Sequence, residues 1–377
     1  MMLERRPLYE QVRQHVLDYV TEHNLKPGDA IPTEAELAVR YGVSVGTVRR
    51  ALLQLVDQGI LYRQPGRGTF LTEQGRQKAK QRGFLACIVP YIRDAFASTL
   101  IAGAQHAAQQ ADYGLVLHNS YGQPDLEEKL LRQSLASEQG IILLPVARGT
   151  LPSLMEELVH RRFPLIFVDR LPTPGAHHVN YVISDNRGGA YAAVQHLIDL
   201  GHVRIGLALK ADAEVNSSVA QRAEGYRQAL RESGLAVDEA LVLGGLTPRH
   251  EVPEPSSVEG HEEGADIELL QKFLRRERPS ALFAVNDLIA IEAWRAAEEL
   301  SLTIPQDLSI VGFDDADFLH DLGIDLTTVA QDTFGTGQKA VEILVEYIEG
   351  RSGASRQVVL PTHLVVRTSS RAPSGQD

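Results

Sequence analysis

The sequence predicts an α/β protein in two parts: a small winged helix-turn-helix head, then a larger doubly wound body in two lobes. Three observations carry this. The first 71 residues read as three short helices and a Gly-rich hairpin. From Phe84 the rhythm changes to short, almost wholly apolar runs alternating with amphipathic stretches, the pattern of parallel strands covered by helices on both faces. Charge divides at the same place: residues 1–83 hold 13 Lys and Arg against 9 Asp and Glu, whereas the whole chain of 377 residues carries a formal charge of −12. A basic head on an acidic body implies that only the head meets a polyanion.

The bulk figures agree. A chain this long exceeds one ordinary core. Hydrophobic content of 44% and charged content of 23% suit a soluble globular protein. No apolar run reaches the roughly 18–20 residues of a membrane-spanning helix, and "MMLERRPLYEQV" lacks the apolar core of a secretory signal. The single Cys87 cannot form an internal disulfide, and in "FLACIV" it reads as a small buried hydrophobe. A cytoplasmic protein without membrane attachment is expected.

In the head, Pro7 precedes a helix whose Leu8, Val12, Val16, Tyr19 and Val20 form one stripe. Thr33 and Glu36 have capping-box spacing for a second helix, which Gly42 stops. Ser44 is the expected N-cap of a third helix to about Gln58, buried through Val48, Leu52, Leu55 and Val56. "ILYRQ" and "TFLTE" flank the turn "PGRG". In such a domain the third helix enters the major groove of DNA, so its N-terminal residues must be small or hydrogen-bonding. Arg49 is placed to fork onto guanine or phosphate, Thr47 to meet phosphate, and Arg67 to reach a groove or the backbone from a wing thinned by Gly66 and Gly68.

The whole segment from "PLYEQV" to "GRGTFL" resembles the DNA-binding domain of GntR-type repressors, through Pro-Thr-Glu before the second helix, Gly-Val-Ser and Thr-Val-Arg around the third, and Gly-x-Gly-Thr-Phe in the wing. The resemblance implies DNA contacts from Glu34, Ser44, Thr47, Arg49 and the wing at Arg67 and Gly68. One position departs. The family usually has arginine after the Val-Ser pair, where this chain has Val45, which can touch a thymine methyl but cannot hold guanine or phosphate. Either the operator differs or Arg50 and the arm residues Arg5 and Arg6 carry part of the load.

Residues 72–83, "TEQGRQKAKQRG", read as a solvated, basic connector that could become partly helical. In the body, ligands of doubly wound folds sit at the carboxyl ends of strands. The residues there are Asp94 and Phe96, Asn119 and Ser120, Asp169 and Arg170, Lys210 and Asp212, Asn286 and Asp287, and Asp314 and Asp315. Nucleophile elbows, phosphate loops and His-Glu-x-x-His motifs are missing, so no catalysis is expected. His177–His178 read as loop residues rather than metal ligands, and no cofactor is expected. Carboxylates mixed with amides and guanidinium groups suit the hydroxyls of a polyol.

A second resemblance covers this region. "VISDNRGGAYAAVQHLIDLGHVRIGLAL", "QRAEGYRQAL", "AVNDLIAIEAW", "IPQDLSIVGFDDADF" and "LTTVAQD" are similar to the effector domain of LacI/GalR regulators, a periplasmic-binding-protein-like fold. It implies effector contacts from Asp169, Arg222, Asn286, Asp314 and Gln331, with Asp94, Phe96 and Lys210 beside them. It also implies three crossings between lobes, with 84–181 and 330–350 in the first and 182–329 and 356–367 in the second. GntR heads on LacI-type bodies occur in the arabinose-repressor (AraR) group, which "LKAD" and "VVRTSSR" resemble. The stretch 244–266, rich in Gly, Pro, Ser and Glu, reads as a mobile surface loop. The expectation is a homodimeric repressor bound to duplex operator DNA and released by a small sugar. The alternatives are an effector such as a purine, nucleoside or sugar phosphate, an activating role, and a sugar-binding protein without a DNA role.

Overall fold

In a computed structural model of the chain, the residues described are 7–80, 83–93, 95–146, 153–171, 179–247, 265–351 and 355–373. The chain divides into two compact units, with the break after Gly83.

The first unit holds α1 (Leu8–Glu22), α2 (Glu34–Tyr41), α3 (Val45–Asp57), the antiparallel strands β1 (Leu61–Gln64) and β2 (Gly68–Leu71), and α4 (Glu73–Lys80). Local chemistry sets these boundaries. Thr33 and Glu36 form the reciprocal capping box, and Gly42 ends α2 in the left-handed region at φ 66°. Ser44 accepts from the Thr47 amide at 3.1 Å and so starts α3. Val12, Val16, Val20, Leu37, Val48, Leu52, Leu55, Leu61 and Leu71 make one core. Leu8, expected in the stripe, is instead exposed.

The connector is partly helical but not wholly solvated: its first part is α4, which lies against α1. Thr72 Oγ1 donates to the carbonyls of Gly59 (2.6 Å) and Ile60 (3.0 Å) and accepts from the Gly75 amide (2.8 Å). A Cβ on Gly75 would fall 2.0 Å from the Ile60 oxygen, so the helix docks through a missing side chain.

The second unit contains two six-stranded sheets among the described residues. One runs, in spatial order, β13 (Gln357–Leu360), β7 (Asn180–Ser184), β6 (Leu165–Val168), β5 (Gly140–Leu143), β3 (Gly83–Val89), β4 (Tyr113–Asn119). The other runs β14 (Thr362–Val365), β12 (Thr327–Gln331), β11 (Ser309–Asp314), β10 (Ala281–Ala284), β8 (Ile205–Lys210), β9 (Val242–Leu246). The central pairs are parallel, and β14 is an antiparallel edge on β12. Helices α5 (Ala95–Gln110), α6 (Pro124–Ser137), α7 (Ser153–His160) and α13 (Thr333–Ile348) belong with the first sheet. Helices α8 (Asn186–Asp199), α9 (Ser217–Glu232), α10 (Ala265–Glu277) and α11 (Asp287–Glu299) belong with the second. A short helix, α12 (Phe318–Asp321), follows β11.

The sheets correct the expected lobe boundaries. All of Asn180–Ser184 lies in the first sheet, and residues 356–367 do not act as one piece: Gln357–Leu360 joins the first sheet and Thr362–Val365 the second. The crossings sit together, with the Asp185 amide donating to Leu360 O at 2.8 Å and Thr362 Oγ1 to Asp185 O at 3.2 Å. Helices α5 and α13 pack closely because Gly103 and Gly337 admit the partner's backbone; a Cβ on either would meet a carbonyl oxygen at 2.0 Å. That packing brings both helix N-termini to one rim of the space between the lobes. Of the 244–266 loop, residues 248–264 lie outside the described residues, as do His177 and His178.

Candidate functional site

Two surfaces collect the functional candidates, one on each unit. On the first, the head of α3 carries a connected polar set. Ser44 Oγ and Thr47 Oγ1 lie 2.8 Å apart. Arg49 donates from Nε to Glu34 Oε2 at 2.9 Å, and Arg63 of β1 donates to Glu34 Oε1 at 2.7 Å. One carboxylate at the start of α2 therefore links the recognition helix to the wing. This makes Glu34 a positioning residue for two guanidinium groups. Arg49 keeps a side-chain exposure of 59%, so it remains presented to solvent despite the ion pair. Arg50 turns the other way, its guanidinium 4.2 Å from the centre of the Tyr9 ring on α1. In the wing the Arg67 amide closes the turn onto Gln64 O at 3.0 Å, and Gly68 opens β2 at φ 127°. Arg5 and Arg6 lie outside the described residues.

On the second unit, a cavity of about 480 Å³ opens between the lobes. Phe96, Asp169, Lys210, Arg222, Asn286, Asp314 and Gln331 all line it. Asp94 lies outside the described residues. Six of the seven lining residues sit where an element begins or ends: Phe96 in the first turn of α5, Asp169 after β6, Lys210 ending β8, Asn286 capping α11, Asp314 ending β11 and Gln331 ending β12; Arg222 reaches in from within α9. This is the carboxyl edge of two parallel sheets, as doubly wound folds require.

Arg222 on α9 organises the floor. It is 5% exposed, donates from Nε to Asn186 Oδ1 at 2.8 Å and from Nη1 to Val285 O at 2.6 Å, and reaches Asp314 Oδ1 at 3.4 Å. Its guanidinium lies 3.8 Å from the Phe313 ring centre. Burial lowers its pKa, and the carboxylates of Asp314, Asp169 and Asp287 oppose that shift. Gln331 donates from Nε2 to Asp314 Oδ1 at 2.7 Å. A carboxylate only accepts, so the amide nitrogen must face Asp314 and the amide oxygen must point elsewhere. That oxygen is buried and has no hydrogen-bond partner among the described residues. Asp169 and Asp314 both hold positive φ, 63° and 130°, strained values for non-glycine residues. Across the cavity mouth, the Leu171 amide of the first lobe donates to Ser217 Oγ of the second at 2.7 Å.

The strand-end residues that do not line the cavity have local tasks. Asn119 accepts from the Tyr121 amide, Ser120 faces Val89 O, and Asp212 accepts from Asn216. Asp287 is buried behind the cavity, accepting from Thr328 Oγ1 (2.6 Å) and the Ala316 amide (2.9 Å). Burial pushes its carboxyl up to about 6. Sequence reading missed Asn186 and Phe313, which hold Arg222, and the aromatic walls Phe318 and Phe334. Asn186 carried a signal, following the strand "VIS"; the phenylalanines at helix starts carried none.

Comparison with known proteins decides what these surfaces belong to. Residues 8–71 match the model for bacterial regulatory proteins of the gntR family, and residues 194–370 match that of the periplasmic binding protein-like domain. The chain is a DNA-binding transcriptional regulator that joins a gntR-family helix-turn-helix domain (8–71) to a periplasmic-binding-protein-like domain (194–370). The regulator is 28% identical, over 97% of its length and 98% of the relative's, to the arabinose metabolism transcriptional repressor of Geobacillus stearothermophilus. It is 29% identical to the HTH-type transcriptional repressor CytR of Escherichia coli strain K12, over 92% of its own length and 98% of that protein. Among solved structures it superposes on a transcriptional regulator CelR–cellobiose complex with a TM-score of 0.66 and 25% identity, covering 90% of this chain and 100% of that one. A LacI family regulator from Enterococcus faecium with bound ribose shares the fold, with a TM-score of 0.64 over 77% of this chain and 100% of that one. These relatives are transcriptional regulators, not enzymes, and the regulator's work is DNA-binding control of transcription. No helix among the described residues is long and apolar enough to cross a membrane.

Proposed function

We propose that the regulator represses genes of carbohydrate use, as a homodimer on a near-palindromic operator in the cytoplasm, and leaves the operator when a small neutral sugar binds between the lobes. The amide oxygen of Gln331, unpartnered among the described residues, carries this reading most directly. A buried acceptor left unpaired costs about 1–3 kcal/mol, and a sugar hydroxyl supplies the donor. Asp314, Asn286 and Asp169 stand nearby on the same cavity, the acceptor-rich surface that a ring of hydroxyls satisfies. The names of relatives, an arabinose repressor and a cellobiose complex, point the same way.

An anionic effector fits less well. The cavity sets five carboxylates, Asp169, Asp314, Asp315, Asp317 and Asp332, against Arg170, Lys210 and Arg222. Arg170 is already paired with Asp169, and Arg222 with Asp314. A sugar closing the lobes would change the spacing of the two DNA-binding domains in the dimer, with a coupling of about 1–3 kcal/mol. The test is a thermal-shift screen of neutral pentoses, hexoses and disaccharides against nucleosides and sugar phosphates, followed by gel shifts on a selected operator. A neutral sugar should both stabilise the protein and release DNA. Stabilisation by phosphorylated ligands alone, or DNA binding indifferent to every stabilising ligand, would overturn the proposal.

A further inference from the structure

We propose that Val45 is a specificity residue of the regulator, reading the 5-methyl group of a thymine in the major groove beside a base read by Arg49. This rests on the DNA-binding reading above and deepens it. Val45 is the first residue of α3 and is 41% exposed, outside the core that buries Val48 and Leu52. The fold therefore gives no reason for an apolar, β-branched side chain there. Residues four apart share a helix face, so Val45 and Arg49 project together, away from that core. Arg49 is held in place by Glu34 through its Nε, leaving the terminal nitrogens of its fork for a base edge.

The polar neighbours are short or turned aside: Ser44 and Thr47 share one hydrogen bond, Arg50 lies over Tyr9, and Arg63 belongs to the wing strand, tied to Glu34. The apolar group exposed at the head of the helix is the Val45 isopropyl, and the base feature that rewards an apolar contact in the major groove is the thymine methyl. Four residues advance a helix by about 6 Å, against roughly 3.4 Å per base pair. The thymine should thus lie within about two steps of the Arg49 contact, taken to be guanine.

The experiment uses the full chain. Duplexes are selected from a random pool, and binding of the winner is measured by fluorescence anisotropy at several salt concentrations. Each thymine is then replaced by deoxyuridine, which removes only the methyl. At one thymine per half-site the wild type should lose about four-fold in affinity, the worth of one buried methyl-sized group. Val45→Ala should lose much less on the same replacement. Selection repeated with Val45→Arg should move the preference at that position to guanine. Because Val45 is exposed, both variants should keep the wild-type melting temperature. If no duplex is held in a salt-sensitive way, the DNA-binding reading itself fails. If a duplex is held but no methyl removal separates wild type from Val45→Ala, that reading stands and the role of Val45 is refuted.

Discussion

Replacing Arg222 by methionine tests whether the cavity floor is the connected network described above. Methionine keeps most of the stem's bulk and supplies no donor. It would leave Asn186 Oδ1 and Val285 O, accepted contacts of 2.8 and 2.6 Å, without their partner, and strip Asp314 of its positive neighbour. Orphaned buried acceptors cost about 1–3 kcal/mol each, and removal of one member of a buried charged pair typically costs about 3–5 kcal/mol. Because Asp314 is only partly buried, water can recover some of that loss, so the expected cost is about 3 kcal/mol. It should appear as a lower urea midpoint for the effector domain, while the DNA-binding domain's transition stays in place. Arg222→Lys, which keeps charge but loses the fork and the flat face over Phe313, should fall between. An effector-domain midpoint for Arg222→Met equal to wild type would refute the network.

Other outcomes follow from single contacts. Asp287 has a folded pKa of about 6 against a reference of 3.8, so the folded state holds its proton more tightly. Its contribution is present below about pH 4 and is lost as pH rises through 6, roughly 3 kcal/mol in all. Relative to Asp287→Asn, wild-type effector-domain stability should decline over that window, as read by urea titrations at stepped pH. Gly75→Ala places a Cβ against Ile60 O and should cost the DNA-binding domain about 1–3 kcal/mol, lowering its melting temperature. Glu34→Gln removes the carboxylate that aligns Arg49 and Arg63 and one negative charge facing DNA. Binding to random duplex should strengthen and discrimination between operator and random duplex should shrink, measured by competition anisotropy.

The DNA-binding domain was legible because its signals are local. A capping box, a left-handed glycine and a Ser N-cap each act over a few residues, and Thr33, Gly42 and Ser44 all do what their spacing predicts. A partial helix in the connector was legible, but the docking of α4 was not: it has no apolar stripe, and it packs through the absence of a side chain at Gly75, which composition registers only as flexibility. The cavity residues were legible as a class, since polar groups after apolar strands mark the carboxyl edge of a parallel sheet. Their partners were not. The pairing of Arg222 with Asn186, and its seat on Phe313, join residues far apart in the chain.

By itself, the sequence determined the elements and their chemistry: a basic winged helix-turn-helix, two sets of apolar strands, and acidic and amide side chains at the strand ends. Periodicity and caps are short-range properties, so they survive in a one-dimensional reading. The tertiary structure alone decided which strand lies beside which. Gln357–Leu360 and Thr362–Val365, separated only by Pro361, part to different sheets, because strand pairing is settled by which edges are open. It also tied Glu34 to two arginines, and left the Gln331 amide oxygen without a donor among the described residues. Such outcomes depend on where distant backbones come to rest, which no local pattern encodes.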